Sequence, residues 1–211
     1  MTESIDLKSL EKKAYRSTFN DGLWDSFIGV IILNLGFGPV INLLFNLPEL
    51  WYTVISSLIF CVIGLLIFIL GKKYITVPRI GYVKFGKKRK SKQLKLKIFL
   101  LIMLAVNMIL VILPLTGILN YVNIQPFLIT LMLGFGVFTL PLSVVAYFLD
   151  FTRLYYYAFS VGIGLFLTDL LTPIIGAPFD IIIIFCPIGG IIILIGLGYL
   201  ISFLKKYPLS N

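Results

Sequence analysis

Six apolar runs, joined mostly by linkers too short to fold alone, constrain this chain more than any other feature. They occupy residues 23–45, 51–70, 98–119, 127–148, 155–175 and 181–204, with lengths of 23, 20, 22, 22, 21 and 24. A helix needs about 20 predominantly apolar residues to cross a hydrocarbon core roughly 30 Å thick. Each run meets that length. Lipid offers the backbone no water, so a spanning segment must satisfy its own hydrogen bonds, as a helix does. The linkers 46–50, 120–126, 149–154 and 176–180 leave no room for a separate domain, so successive spans run antiparallel. The predicted fold is all-α: a polytopic membrane protein, a six-transmembrane-helix bundle. Soluble domains average about a quarter charged residues. This chain has 13% charged and 59% hydrophobic residues, which excludes a soluble globular domain.

Charge sets the orientation. The segment before the first span carries Lys8, Lys12, Lys13 and Arg16. The one long connection, 71–97, carries Lys72, Lys73, Arg79, Lys84, Lys87, Lys88, Arg89, Lys90, Lys92, Lys95 and Lys97, and no acid. Arg153, Lys205 and Lys206 complete the set of 18. Six spans put all of them on one side, and the opposite linkers hold only Glu49 and Asp180. By the positive-inside rule both termini are then cytoplasmic. The net charge is +9, and the 71–97 connection alone contributes +11.

The organisation that follows is a cytoplasmic amphipathic segment at 1–22, helices one and two over 23–70, a polybasic cytoplasmic loop at 71–97, helices three to six over 98–204, and a tail at 205–211. Within 4–19, Leu7, Leu10 and Ala14 share a helical face, so this segment is expected to lie on the membrane surface as a solvated lead-in. The first apolar run follows 22 mostly polar residues and lacks a small-residue cleavage pattern, so it reads as a span and not as a cleavable signal. In the loop, 72–86 is rich in β-branched and aromatic residues with Pro and Gly breaks and is expected to form a turn or small hairpin. From Lys87 the basic run leads into the third span.

The chemistry is sparse. With no His anywhere, imidazole-based hydrolases and haem or copper sites are excluded. No Gly-x-Ser-x-Gly elbow, phosphate-binding Gly-Lys-Ser/Thr loop or metal cluster occurs. Cys61 and Cys186 both fall inside spans and read as small core residues. The chain is therefore expected not to be an enzyme, with no cofactor and no metal. Lys84, Lys87, Lys88, Arg89, Lys90 and Lys92 form a surface for anionic lipid headgroups, each worth roughly 1 kcal/mol near an anionic leaflet, or for a cytosolic or membrane protein partner. No nucleic-acid module accompanies the charge, so nucleic acid is not an expected partner.

Two acidic sites stand out. Asp21, Asp25, Gly29 and Gly36 share one face of the first span, a small-residue stripe that lets a second helix approach closely. Asp21 or Asp25 can cap the helix, or pair with the basic loop, Arg79 being the best-placed guanidinium at that interface. Asp169 lies inside the fifth span with no basic residue in any span to pair with it. An ionised Asp there costs about 2.5–3.5 kcal/mol on insertion scales, so such residues turn toward the bundle interior. Two roles stay open: a protonated carboxyl hydrogen-bonded across helices, for example to Asn42 or to a carbonyl freed at Pro187, or the site of a small-solute or ion transporter or channel.

Asp21-Gly22-Leu23-Trp24-Asp25 at the entry to the first span, followed by Thr76-Val77-Pro78-Arg79-Ile80-Gly81-Tyr82-Val83 after the second, resembles a group of uncharacterised prokaryotic multi-pass membrane proteins. The likeness covers roughly the first 90 residues. It implies a bacterial or archaeal cytoplasmic membrane and no particular activity.

Overall fold

The computed structural model describes residues 15, 17–45, 48–81, 87–112, 131–132 and 134–208. Among them every element is helical: α1 (Leu23–Phe45), α2 (Glu49–Gly71), a π-helical turn (Lys72–Thr76), α3 (Val77–Ile80), α4 (Lys87–Ile112), a second π-helical turn (Gly134–Thr139), α5 (Leu140–Leu149), α6 (Arg153–Ile175) and α7 (Phe179–Lys206). Among the described residues four stretches are long and apolar enough to cross a bilayer: Leu23–Phe45, Trp51–Ile80, Arg153–Ile175 and Phe179–Lys206. Of the third expected span the described part belongs to α4, and of the fourth to residues 131–132, the second π turn and α5. Residues 113–130 lie outside the described set, as do the amphipathic positions Leu7, Leu10 and Ala14.

The chain divides into two compact units, 1–84 with 177–211, and 85–176. In the first, α1 packs against both α2 and α7. Glycine makes the α1–α7 approach possible. A Cβ on Gly29 would lie 2.9 Å from the Ile193 backbone N, one on Gly36 2.8 Å from Cys186 N, one on Gly189 2.7 Å from Leu33 N, and one on Gly196 2.7 Å from Ser26 N. The contacting positions advance by three and four on α1 (22, 26, 29, 33, 36) and retreat likewise on α7 (196, 193, 189, 186). That alternation keeps one stripe of each helix on the other, antiparallel. The expected small-residue face of the first span is thus occupied by α7. Gly190 and Gly198, on the same helix, have nothing within 4 Å of a Cβ. On the other side of α1, Gly71 of α2 packs on Leu23 and Gly64 on Phe27.

Of the turn or hairpin expected over 72–86, residues 72–80 are helical instead, and 82–86 lie outside the described residues. The helix begun in α2 runs on to Ile80, where Gly81 (φ 81°) ends it. Ile75 and Val77 carry a strand signal, but two local features override it. Lys72 is held from across the unit, as described below. Pro78 has no N–H for a carbonyl one α-turn back, and its ring crowds that carbonyl. Widening the preceding turn to i→i−5 bonds relieves both, as in Val77 N–H donating to Lys72 O. The second π turn obeys the same grammar: it ends at Thr139, two residues ahead of Pro141.

In the second unit, Thr139 fastens the π turn to α6. Its hydroxyl is 3.0 Å from Ala158 O and 3.2 Å from Gly134 O. A Cβ at Gly134 would lie 2.9 Å from Gly162 O. The α5–α6 corner is closed by Asp150 in the left-handed region (φ 52°), with Phe151 N–H donating to Ala146 O at 3.0 Å and Asp150 N–H to Tyr147 O at 3.3 Å. This is a Schellman closure, and both Phe151 and Ala146 are buried.

Candidate functional site

At the end of the first unit where α1 begins, the chain turns sharply into the helix. Thr18 N–H donates to Tyr15 O and Asn20 N–H to Ser17 O, both at 3.1 Å. Gly22 then takes φ 71° and sits directly on Gly196 O, with Leu200 N 2.8 Å from where a Cβ would be. Only glycine fits both constraints. The turn drops Asp21 beneath the chain entry, where its carboxylate is fully buried.

That carboxylate is well supplied. Lys72 Nζ donates to Asp21 Oδ2 at 2.5 Å and to Thr18 O at 2.7 Å, and Thr76 Oγ1 donates to the same Oδ2 at 2.7 Å. Asp21 Oδ1 lies 3.3 Å from Leu23 N, the capping contact expected at a helix entry. Lys72 and Thr76 are the first and last residues of the π turn, so the helix extension presents both donors to one oxygen. The lysine stem is backed by Phe68, with Nζ 5.7 Å from the ring centroid. Aromatic packing closes the roof: Tyr15 to Phe19 at 5.4 Å, Phe19 to Trp24 at 5.6 Å, and Trp24 to Phe68 at 4.7 Å between ring centroids. Tyr15 and Phe19 are buried, which corrects the expectation of a solvated lead-in for this part of the segment. Aromatics spaced i, i+4 ahead of Trp24 were the sequence signal for it.

The guanidinium expected to meet the acids is elsewhere. Arg79 Nη1 donates to Ile75 O at 3.0 Å, capping its own helix end, and its Nε is buried with no hydrogen-bond partner. The pairing partner of Asp21 is Lys72. Asp25 is fully buried in the first turn of α1, beside Ser26, whose hydroxyl donates to Gly22 O at 3.0 Å.

Cations collect at one end of each unit among the described residues. In the first these are Lys72, Lys73, Arg79, Lys205 and Lys206, at the ends of α2, α3 and α7. In the second they are Lys92, Lys95, Lys97 and Arg153, where α4 and α6 begin and α5 ends. Several stand over rings: Lys73 over Tyr74 at 5.2 Å, Lys206 over Tyr207 at 5.6 Å, Lys92 over Tyr147 at 5.6 Å and Arg153 over Phe151 at 5.1 Å. Lys92 Nζ is also 4.0 Å from Asp150 Oδ2. Of the other expected surface residues, Lys84 and the side chains of Lys87, Lys88, Arg89 and Lys90 lie outside the described set, although α4 carries the last four on its first turn.

Asp169 is half-buried on α6, with no hydrogen bond or ion pair to a described residue. Thr168 and Thr172 on the same helix return their hydroxyls to Gly164 O and Thr168 O, each at 2.9 Å. Cys61 is exposed and Cys186 intermediate, so Cys61 is not a core residue. No group of three potential metal ligands occurs among the described residues. Comparison with family models, with curated proteins and with solved structures gives no match.

Proposed function

We propose that this is a six-span protein of a prokaryotic cytoplasmic membrane, with both termini inside, that performs no chemistry of its own. Its basic end engages the anionic headgroups of the inner leaflet and, through them or directly, a cytosolic or membrane protein partner. The observation that carries this is the segregation of charge: in each unit the described cations sit at one end, several over aromatic rings. Tyr and Lys with apolar stems and polar tips are suited to headgroup level, where such belts gather. The resemblance to prokaryotic multi-pass proteins over the first 90 or so residues points the same way.

The test is stability against lipid charge. In nanodiscs the protein should melt higher in phosphatidylglycerol than in phosphatidylcholine. Changing Lys87, Lys88, Arg89, Lys90 and Lys92 to Gln should remove most of that gap, since each cation contributes roughly 1 kcal/mol. Equal melting in both lipids would overturn the proposal. Orientation is checked separately. With Cys61 and Cys186 replaced by Ser, single cysteines in 46–50, 120–126 and 176–180 should label from outside intact cells, and cysteines in 71–97 should not. External labelling of 71–97 would reverse the topology.

A second reading, a transporter or channel for a small solute or ion, is favoured by Asp169 alone, a half-buried carboxyl without a described partner in a span. Pro173 has no N–H to give the Asp169 carbonyl one turn back. If this reading holds, proteoliposomes should show cation or proton flux that Asp169→Asn abolishes. Flux unchanged in that variant rejects a role for Asp169.

A further inference from the structure

The first eleven residues of α4, Lys87–Lys97, carry seven cations. At 1.5 Å per residue they span about 15 Å, whereas one leaflet's headgroup layer is only about 5–8 Å deep. Part of this stretch must therefore lie deeper or higher than the headgroups, and the second unit marks where. Lys92 stands over Tyr147 and near Asp150, and Tyr147 and Tyr156 are 63% and 74% exposed. Exposed tyrosines in a chain of this kind belong at headgroup level, which fixes Lys92 there. Lys95 is one turn further along α4, about 4.5 Å deeper. It is exposed, and it has no ion pair or hydrogen bond among the described residues. Its ammonium can escape the hydrocarbon only by reaching back to the level of Lys92. Beneath it, Ile98 and Leu101 are exposed, a surface that suits acyl chains and not a soluble anion.

We propose that Lys92 and Lys95, flanked by Tyr147, seat the headgroup of a phospholipid carrying two phosphates. Two ammonium groups on one side of a helix, three residues apart, offer two charges within one headgroup's reach. Asp150, at the outer limit of ion-pair distance from Lys92, offsets only part of that charge. A single phosphate leaves one ammonium unmatched; a diphosphate lipid matches both. Basic pockets between helices on the cytoplasmic side are suited to such headgroups.

This inference rests on the proposed inner-leaflet reading and is tested apart from it. The full-length protein is offered an equimolar mixture of diphosphatidylglycerol, phosphatidylglycerol and phosphatidylcholine, and retained lipid is counted by native mass spectrometry. Diphosphatidylglycerol should be retained about fivefold over phosphatidylglycerol. Lys95→Gln, and Lys92→Gln with Lys95→Gln, should bring that ratio to near one. Lys95→Arg should restore it, and Lys205→Gln with Lys206→Gln should leave it unchanged. Equal retention of the two anionic lipids by the unaltered protein overturns the two-phosphate seat while leaving the general anionic preference standing. Equal retention of all three overturns both. Displacement of the lipid by inorganic pyrophosphate would reassign the seat to a soluble anion and overturn the lipid assignment.

Discussion

Lys72→Met should lower stability by about 3 kcal/mol, because removing one partner of a buried ion pair leaves the other charge uncompensated. For a chain of this size that is a drop in melting temperature of roughly 6–12 °C. Asp21 has no route to solvent: its side chain is fully buried, and without Lys72 it keeps only Thr76 Oγ1 and the Leu23 N–H. Asp21→Asn on top of Lys72→Met should recover part of the loss, since the amide carries no charge. A double-mutant cycle on Asp21 and Lys72 should therefore give a coupling energy of about 1–3 kcal/mol. The same cycle on Asp25 and Arg79 should give close to zero, because the Arg79 guanidinium is turned back onto Ile75 O of its own helix. Coupling confined to the second pair would mean that the junction is held in another way.

An effect of similar size is expected where α1 meets α7. Gly29→Ala and Gly36→Ala each put a methyl group within 2.9 Å of a backbone nitrogen on α7. A backbone cannot swing aside as a flexible side chain does, so each should cost about 1–3 kcal/mol, and both together should separate the helices. Gly190→Ala and Gly198→Ala on the same α7 meet nothing within 4 Å and should change stability by less than about 0.5 kcal/mol. Melting in detergent, read side by side for the four variants, checks the contrast. Equal losses at all four positions would reject the stripe.

The same residues show how far sequence reasoning reaches. Asp21, Asp25, Gly29 and Gly36 recur at helical spacing, so the existence of a close-packed face on α1 was legible. Its occupant was not. Gly189 and Gly190 are chemically identical neighbours, and only the three-dimensional register decides which meets Leu33. The acidic junction was legible as a place, and both the cap and the pairing with the basic loop were open to the sequence; only the choice of Arg79 over Lys72 as the partner failed. Reading 72–86 as a turn hid the four-residue spacing of Lys72 and Thr76, which matters only if the helix continues. Arg79 then looked like the best donor on chemistry alone. The charge asymmetry needed no geometry, being a count along the chain. Of Asp169, the sequence revealed the expense of its position and nothing of its surroundings.

The α1–α7 stripe also bears on how the protein is made. α1 is the first described span to leave the ribosome and α7 the last, and Gly36 must wait for Cys186, which is translated 150 residues later. At 5–20 residues per second that delay is on the order of 10 s. Throughout it, the glycine face of α1 has only lipid or another protein to lie against, and Asp21 waits in turn for Lys72. The glycine seam of α1 is thus closed only when α7 arrives. A nascent protein short of α7 is marked by an open seam along the glycine face of α1.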